Sequence, residues 1–368
     1  MIARPSFVFR ADASSKIGTG HVVRCLTLAN ELRKRGGECQ FICREHHGHL
    51  IERINNDGFL VHVLKTTGET DRNLLHSDWL GSTQRADAAS SSYILKNCQA
   101  DWLIVDHYAL DYRWQSEARQ HVKQIMVIDD LADRKHDCDL LLNQNYGSSP
   151  ALYSGSVPVE CLQIHGPKYA LLKPSYTEHR KGMPSRDGQV RRAMIYFGGG
   201  EDRADVTGMT VGAFRTPELE DVQLDIVVGA NYAHQEALEN AVAQRTKKTK
   251  IHRQLRDLAA LMSVADLAIG AGGSTMWERC CMGLPSIVIC VAPNQRRPCE
   301  AMHKAGFIRY LGQIDSVSKD IISSEITSVR ARPNDLRVLR EKNSTLVTGC
   351  GSRLIADILD SLTIYGKR

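Results

Sequence analysis

The chain has 368 residues, of which 42% are hydrophobic and 24% are charged, and its formal net charge is +5. This composition is typical of a soluble globular enzyme, and the length suits two domains of roughly 150 residues each. The mild positive charge argues against a nucleic-acid-binding protein, because such proteins concentrate more basic charge on one surface. It is compatible with an anionic small-molecule ligand.

Cysteine spacing and apolar runs indicate the compartment. The eleven cysteines form no CxxC pair, and no apolar run reaches the roughly 18 residues of a transmembrane helix. The N-terminal apolar run is too short for a secretory signal. These features predict reduced thiols, a cytoplasmic protein and no membrane span. His46, His47 and His49 lie close together but lack the cysteine or carboxylate framework of a metal site, so we predict no metal.

Apolar β-rich runs alternate with helical patterns along the chain, which predicts an α/β fold with parallel sheets. In the first half, strands are predicted at residues 6–10, 40–43, 60–64, 102–105, 124–128 and 140–142. A helical pattern follows the first strand and ends at the glycine pair 36–37. Residues 66–92 show no clear period and are predicted as an excursion or a polar helix.

A change in composition divides the chain. Residues 175–192 are polar and contain Gly and Pro, so we predict a linker between an N-terminal domain (1–174) and a C-terminal domain (193–350). Further strands are predicted at 193–197, 224–228, 267–269 and 286–290, and a closing helix at 351–368. Two such domains around a cleft suit a nucleotide, since ligands bind outside the carboxyl ends of parallel strands.

The first candidate site follows the first predicted strand. Gly18 and Gly20 allow a sharp turn before a helix that begins with His21, where the helix dipole favours a neutral imidazole able to accept a proton from water. His21 is therefore the candidate catalytic base, although a tight turn with a capping histidine gives the same pattern. Asp12 either orients the ring or caps the loop backbone. Asp12, Gly18 and Gly20 are also candidates for substrate binding, because the glycines let the backbone approach a ligand closely. Arg24, one turn further on, either reaches the ligand or lies on the surface.

A second candidate site is the loop GAGGST, which lies between a predicted strand and a helix. Backbone N–H groups and hydroxyls in such a loop can hold a diphosphate, and the residues that supply them are Gly272, Gly273, Ser274 and Thr275. Glu278, one turn into the helix, either accepts from ribose hydroxyls or completes a capping box. No lysine follows the glycines, so this is not a P-loop, and the absence of GxGxxG disfavours NAD. We predict no cofactor.

Further candidates for substrate binding follow other predicted strands, where α/β sites form. They are Asp106, His107, Tyr108, Asn294 and Gln295. Gly199, in the glycine run after the strand at 193–197, is a further candidate for nucleotide binding. Asp129 and Asp130 are equally consistent with substrate contact and with loop polarity. The triplet 137–139 (DCD) precedes an apolar run rather than ending a strand, and we predict that it is structural.

Several of these motifs together resemble a known family, the UDP-2,4-diacetamido-2,4,6-trideoxy-β-L-altropyranose hydrolases of pseudaminic acid biosynthesis. The similarity covers roughly residues 5–312 and rests on RADASSKIGTGHVVRCLTLA, VDHY, DD, LLNQNYG, GPKYALLKPSY, YFGGG and GAGGSTMWERCCMGLPSI. That family in turn resembles the GT-B glycosyltransferases, particularly the GlcNAc transferase of peptidoglycan lipid synthesis. Residues beyond about 315 match no motif, and residues 66–92 exceed the family minimum.

The resemblance implies a GT-B fold, with two Rossmann-like domains facing each other across a cleft and UDP held mainly by the C-terminal one. It implies that His21 activates water, that Tyr108 lies near the sugar, and that backbone at 251–255 meets the uracil. It also implies that Ser274, Thr275 and Glu278 contact the pyrophosphate and ribose.

The function that follows is metal-independent, inverting hydrolysis of the UDP-diacetamido sugar, on a route to a flagellin or surface glycan. Other enzymes of that pathway are candidate partners. The alternatives are a GT-B glycosyltransferase, a hydrolysing UDP-N-acetylhexosamine 2-epimerase and a non-catalytic nucleotide-sugar-binding module. The transferase would need an acceptor-binding apolar or basic patch, and the sequence shows no convincing one.

Overall fold

The structure is a computed structural model that describes residues 4–183, 186–200, 202–229, 232–245, 247–253, 255 and 257–365. The chain divides into two compact units. The first unit comprises the chain up to Leu171 together with Cys350 onward, and the second unit comprises Leu172–Gly349. The chain therefore leaves the first unit once and returns to it near the C-terminus.

The first unit is built on a parallel sheet whose strands are β1 (Ser6–Ala11), β2 (Glu38–Arg44), β3 (Leu60–Leu64), β4 (Trp102–Asp106), β5 (Gln124–Ile128), β6 (Leu140–Asn143) and β7 (Leu162–His165). Its helices, in chain order, are α1 (Gly20–Lys34), α2 (Ile51–Asn56), α3 (Gln84–Cys98) and α4 (Tyr112–Ala118). Short 3₁₀ turns lie at Ser77–Trp79, Arg119–His121, Pro150–Tyr153 and Pro167–Tyr169. The strand order is β3-β2-β1-β4-β5-β6-β7.

The second unit repeats this plan. Its strands are β8 (Arg192–Tyr196), β9 (Gln223–Val228), β10 (Thr249–Arg253), β11 (Leu267–Gly270), β12 (Ser286–Cys290) and β13 (Arg309–Gln313). Its helices are α5 (Pro174–Lys181), α6 (Val206–Ala213), α7 (Gln235–Ala243), α8 (Ala259–Val264), α9 (Thr275–Cys281), α10 (Arg296–Lys304), α11 (Lys319–Arg330) and α12 (Pro333–Leu346), with 3₁₀ turns at Pro293–Gln295 and Ile314–Ser316. The strand order is β10-β9-β8-β11-β12-β13.

Both sheets follow the Rossmann order, in which the direction of strand addition reverses next to the first strand. The reversal lies between β1 and β4 in the first unit and between β8 and β11 in the second. All neighbouring strands pair in parallel. The predicted α/β class with two Rossmann-like halves is therefore confirmed. Each crevice at a reversal point is where such folds bind ligands.

Apolar side chains on the central strands explain why these segments form sheets. Every residue of β4 is buried, and Phe9 of β1 stacks on Phe41 of β2 with ring centroids 4.9 Å apart. Burying one such ring contributes about 1.5–3 kcal/mol. The central strands are therefore rigid supports for the residues that follow them.

The C-terminal helix α13 (Gly351–Tyr365) belongs to the first unit. Ile355, Ala356 and Leu359 are fully buried in its core, where α13 packs against α1. The Nε1 atom of Trp102 also donates to Thr363 Oγ1 at 2.8 Å. The last helix thus completes the core beneath β1 and β4.

The segment at 175–192 differs from the linker predicted there, and Pro184 and Ser185 within it lie outside the described residues. Most of α5 falls in this segment, and Pro174 occupies its first turn, where a missing N–H costs nothing. This helix contacts α8 and α9 of the second unit, and Tyr176 is 2% exposed. One buried aromatic ring therefore anchors a helix whose other residues are polar, which is why its composition resembled a linker.

Candidate active site

The loop between β1 and α1 presents His21. Gly18 has φ of +80°, a conformation that glycine adopts at little cost, and it forms an isolated bridge with Ser14. Gly20 is the first residue of α1 and His21 the second, with 8% of His21 exposed. The imidazole does not serve as a helix cap, because its Nδ1 atom is bound to a carboxylate of the neighbouring strand.

That carboxylate is Asp106, the last residue of β4, which lies in register with Ala11 of β1. His21 Nδ1 is 2.5 Å from Asp106 Oδ1. Burial acts to raise the pKa of Asp106, but Arg24 and His21 outweigh it and hold that pKa far below its usual range. An ionised carboxylate only accepts hydrogen bonds. In a neutral His21 ring the proton therefore lies on Nδ1, and Nε2 keeps its lone pair.

Asp12 does not orient His21, which corrects one of the two roles predicted for it. Its Oδ1 accepts from Arg10 Nη1 at 2.7 Å and from the backbone N–H of Arg44 at 2.6 Å. That N–H belongs to the last residue of β2 and not to the loop that Asp12 was predicted to cap. Its Oδ2 lies 3.2 Å from Nε2 of His107. Burial lowers the pKa of His107 despite this carboxylate. Asp12 and His107, both predicted to bind substrate, thus belong to a buried polar network beside the His21 ring.

Arg24 is 6% exposed, so it is not a surface residue. Its Nε and Nη2 donate to the two oxygens of Asp106 at 2.6 and 2.7 Å, and its Nη1 donates to Asp130 Oδ2 at 2.6 Å. The hydroxyl of Tyr108 donates to the same Asp130 oxygen at 2.8 Å. Burial, reinforced by Asp130, raises the pKa of Tyr108, so its hydroxyl keeps its proton. Arg24 therefore ties the two carboxylates and the tyrosine into one rigid group.

Asp129 has a different role from its neighbour Asp130. It is fully buried and accepts from the hydroxyl of Tyr153 at 2.8 Å and from the backbone N–H of Ala132 at 2.7 Å. It also pairs with Arg134 at 2.8 Å. These contacts hold Asp129 within the scaffold of the first unit, where its Oδ1 has the ion pair with Arg134 but no hydrogen bond among the described residues.

Aromatic side chains lie next to the His21 ring. The ring of Tyr108 meets the His21 ring edge-on, with the ring centroids 4.6 Å apart. Trp79 stacks on Tyr108 with centroids 5.6 Å apart, and the centroid of His76 lies 4.4 Å from that of Trp79. We call His76, Trp79 and Tyr108 the aromatic wall. Sequence reasoning missed His76 and Trp79, because residues 66–92 have no periodic pattern. The one available signal was a lone tryptophan in a polar stretch.

In the glycine-rich loop of the second unit, two glycines occupy positions with no room for a side chain. A Cβ atom on Gly270 would lie 2.4 Å from the carbonyl oxygen of Tyr196, and one on Gly272 would lie 2.2 Å from Cys299 Sγ. The N–H of Gly272 donates to Gln295 Oε1 at 3.3 Å. Gln295, predicted to contact the substrate, therefore braces this loop.

Arg279 supports the same loop and was not identified from sequence. It is 2% exposed, and its Nη2 donates to the carbonyl oxygen of Ala271 at 2.6 Å. Ser274 occupies the N-cap position of α9 but makes no side-chain capping bond. The helix start thus presents Ser274 and Thr275, both partly exposed, at the carboxyl end of β11.

Glu278 does not form the capping box that the sequence allowed. It is hydrogen-bonded to Tyr176 instead, while its buried Oε2 atom has no hydrogen-bond partner in the described part of the chain. Burial raises the pKa of Glu278 to about 7, even though Tyr176 acts to lower it. A buried acceptor without a donor is costly, so this oxygen suits a ligand hydroxyl.

The remaining candidates make fewer contacts. Gly199 follows β8, and its carbonyl oxygen would lie 2.6 Å from a Cβ on Gly229. Gly273 is less crowded than Gly272, because a Cβ added to it would lie 3.7 Å from Gln295 Nε2, an ordinary contact distance. Asn294 is half-buried in a 3₁₀ turn. The backbone predicted to meet a uracil begins in β10, but Gln254 lies outside the described residues.

The structure thus groups His21, Arg24, Asp106 and Tyr108 in the first unit, and the glycine-rich loop with Gln295 and Glu278 in the second. Across the described ranges, no three His, Cys, Asp or Glu side chains converge as metal ligands would. None of the helices described is both long and apolar enough to span a membrane.

Comparison with known sequences supports a relation to nucleotide-sugar proteins. Residues 197–343 match the glycosyltransferase family 28 C-terminal domain. The chain is 23% identical to the spore coat polysaccharide biosynthesis protein SpsG of Bacillus subtilis, covering 96% of this chain and 97% of that protein. It is 23% identical to the UDP-2,4-diacetamido-2,4,6-trideoxy-β-L-altropyranose hydrolase of Campylobacter jejuni, covering 82% of this chain and 97% of that protein. An uncharacterized Methanocaldococcus jannaschii protein is 26% identical over 76% of this chain, which spans only 54% of that protein.

Solved structures show the same architecture. MurG of Acinetobacter baumannii superposes with a TM-score of 0.66 at 13% identity, covering 98% of this chain and 100% of that one. The UDP-GlcNAc 2-epimerase of Neisseria meningitidis superposes with a TM-score of 0.61 at 12% identity, covering 98% and 100%. Together with the two parallel sheets, these likenesses show that the chain has the α/β GT-B fold.

Proposed function

We propose that this protein is a UDP-sugar-processing enzyme that hydrolyses UDP-2,4-diacetamido-2,4,6-trideoxy-β-L-altropyranose to the free diacetamido sugar and UDP. The family 28 match over the glycine-rich loop and the named hydrolase relative support the substrate class. The observation that carries the reaction type is the pairing of His21 Nδ1 with Asp106, because it directs the other ring nitrogen, Nε2, to the role of base.

In the proposed reaction, His21 Nε2 takes a proton from water, and the water oxygen attacks the anomeric carbon. The bond between that carbon and the diphosphate oxygen breaks, its electron pair leaves with UDP, and attack from the opposite face inverts the anomeric centre. Asp106 keeps the Nδ1 proton in place and stabilises the imidazolium that forms. Tyr108, held by Asp130, would lie against the sugar.

The second unit would hold the leaving group. N–H groups of the glycine-rich loop, with the hydroxyls of Ser274 and Thr275, would stabilise negative charge that develops on the departing diphosphate. Glu278 would use its unpartnered Oε2 to accept from a ribose hydroxyl. Gln295 and Arg279 would keep the loop in shape.

The test is incubation with the UDP-diacetamido sugar in ¹⁸O-water, with His21→Ala as the matched control. Label at C1 of the free sugar supports the proposal. Label in UDP would place cleavage at phosphorus, and release of UDP only with an added acceptor would identify a glycosyltransferase. A 2-epimerised free sugar would identify a hydrolysing epimerase. Turnover unchanged in His21→Ala would refute the role of this residue.

A further inference from the structure

A group of positively charged side chains lies in the second unit, at the opposite end of α9 from the glycine-rich loop. Four arginines line a cavity of about 420 Å³, and we call it the arginine pocket. They are Arg180, Arg186, Arg337 and Arg340. The turn Met282–Gly283, which follows α9, forms part of the wall. Since α9 has seven residues, the two ends are about 10 Å apart.

Three separate elements bring these arginines together. Arg337 and Arg340 are three residues apart on α12, so they share a helix face. Arg180 comes from the last turn of α5, and Arg186 from the chain beyond it. A Cβ on Gly283 would lie 3.0 Å from the carbonyl oxygen of Arg340, which shows how closely the turn packs on α12. The convergence is therefore built by tertiary packing.

Four arginines and one glutamate line this pocket, so its lining carries a net positive charge. Arg186 is 10% exposed at its side chain and forms an ion pair with Asp266, whose Oδ1 lies 3.5 Å from its Nη1. Its Nη2 donates to the carbonyl oxygen of Ser263, while its buried Nη1 makes no hydrogen bond within the described residues. Arg180 donates to a backbone carbonyl, that of Val347, at 3.2 Å. Burial, with Arg186 nearby, lowers the pKa of Arg340 to about 10. Glu341 is the acidic residue in the lining.

Four guanidinium groups held close together, with Arg186 only 10% exposed at its side chain, repel one another unless an anion compensates their charge. We propose that the arginine pocket binds a phosphoryl group, as a ligand separate from any nucleotide at the glycine-rich loop. Planar guanidinium forks match phosphate oxygens in pairs, which ammonium groups do not. A cavity of this size exceeds a single phosphate and suits a phosphorylated small molecule or a lipid headgroup. A phosphorylated small molecule and a lipid headgroup would both offer the same phosphoryl group to the arginines.

The test is equilibrium dialysis of the full chain with radiolabelled orthophosphate and pyrophosphate at fixed ionic strength, with UDP in excess to fill the proposed nucleotide site. Wild-type protein should bind one phosphate equivalent per chain. Arg340→Gln should weaken this binding about tenfold or more, because each charge-assisted hydrogen bond contributes strongly. Arg340→Lys should lie in between. Arg215→Gln, the same change at an exposed arginine of this unit, should bind like wild type.

Cosedimentation with phosphatidylglycerol vesicles distinguishes the sources. Vesicle binding lost in Arg340→Gln assigns a lipid headgroup, and phosphate binding without vesicle binding assigns a soluble metabolite. Equal binding by Arg340→Gln and Arg215→Gln, or no wild-type binding in either assay, would overturn the proposal. Arg337→Gln, at an exposed position, replaces Arg340→Gln if thermal melts show that the latter is misfolded. If UDP fails to bind, the proposed function is in error, but a loss of phosphate binding in Arg340→Gln still tests the arginine pocket by itself.

Discussion

Nδ1 of His21 lies 2.5 Å from Oδ1 of Asp106, although 85 residues separate them in the chain. Their proximity follows from the pairing of β1 with β4 at the point where the strand order reverses. The same carboxylate also receives two hydrogen bonds from Arg24. Asp106 therefore sets both the orientation and the tautomer of the candidate base.

Replacing Asp106 with Asn should lower kcat by about 10²- to 10⁴-fold with little change in KM, because the amide can hold the ring in the wrong tautomer. Steady-state kinetics with the UDP-diacetamido sugar measure this. Asp335→Asn makes the same change at an exposed site and should leave kcat unaltered. A kcat for Asp106→Asn within a factor of two of wild type would remove Asp106 from the mechanism.

His21→Ala should lose about 10²- to 10⁴-fold in kcat, the usual contribution of a positioned general base. UDP affinity, measured by calorimetry, should be retained, because the proposed UDP contacts belong to the second unit. His179→Ala at an exposed position is the control. Loss of UDP affinity together with turnover would mean that His21 acts in binding.

Trp79→Ala should raise KM for the UDP-sugar while leaving UDP affinity unchanged, because the aromatic wall lies next to His21 and the proposed nucleotide contacts do not include it. Burial of an aromatic face contributes roughly 1–3 kcal/mol, so a rise of about tenfold is expected. Tyr93→Ala removes an aromatic ring that is 75% exposed and should have no effect. An unchanged KM in Trp79→Ala would exclude the wall from sugar binding.

The raised pKa of Glu278 makes the stability of the folded protein depend on pH. Its pKa is raised from 4.5 to about 7 in the folded protein, so the folded state binds more protons than the unfolded state between these values. The contribution of Glu278 to stability is therefore present below pH 4.5 and is lost as the pH rises to about 7. Thermal melts of ligand-free protein should show Glu278→Gln gaining stability relative to wild type over this range. Glu178→Gln, at an exposed site, should track wild type.

Asp87→Ala should destabilise the protein by about 3–5 kcal/mol, the usual loss when one partner of a buried ion pair is removed. This fully buried carboxylate binds Arg10 and Arg44, each at 2.7 Å, and neither arginine can reach water without disrupting the core. Urea unfolding followed by circular dichroism measures the change. Asp78→Ala, which removes a surface ion pair with Lys16, should cost less than about 1 kcal/mol.

The parts of the site that are formed by neighbouring residues in the chain could be predicted, and the parts formed by distant residues could not. The turn before His21 and the glycine-rich loop could be predicted because their residues are contiguous in the chain. A backbone that requires glycine shows that requirement in its own short segment. Asp106 was found only as a strand-end candidate. Its partnership with His21 was not predicted, because Asp12, the carboxylate nearer in sequence, was one candidate for orienting the ring. Tyr176 was hidden in a polar segment, since one buried ring leaves no periodic signal.

The sequence by itself determined the alternation of strands and helices, because apolar runs and helical spacing are local properties. Only the tertiary structure decided which carboxylate faces His21, which ring covers it, and which oxygen of Glu278 lacks a donor. These depend on strand order and on helices that return from distant parts of the chain, as α13 returns to the first unit. Contacts of that kind arise from packing, which no short window of sequence encodes.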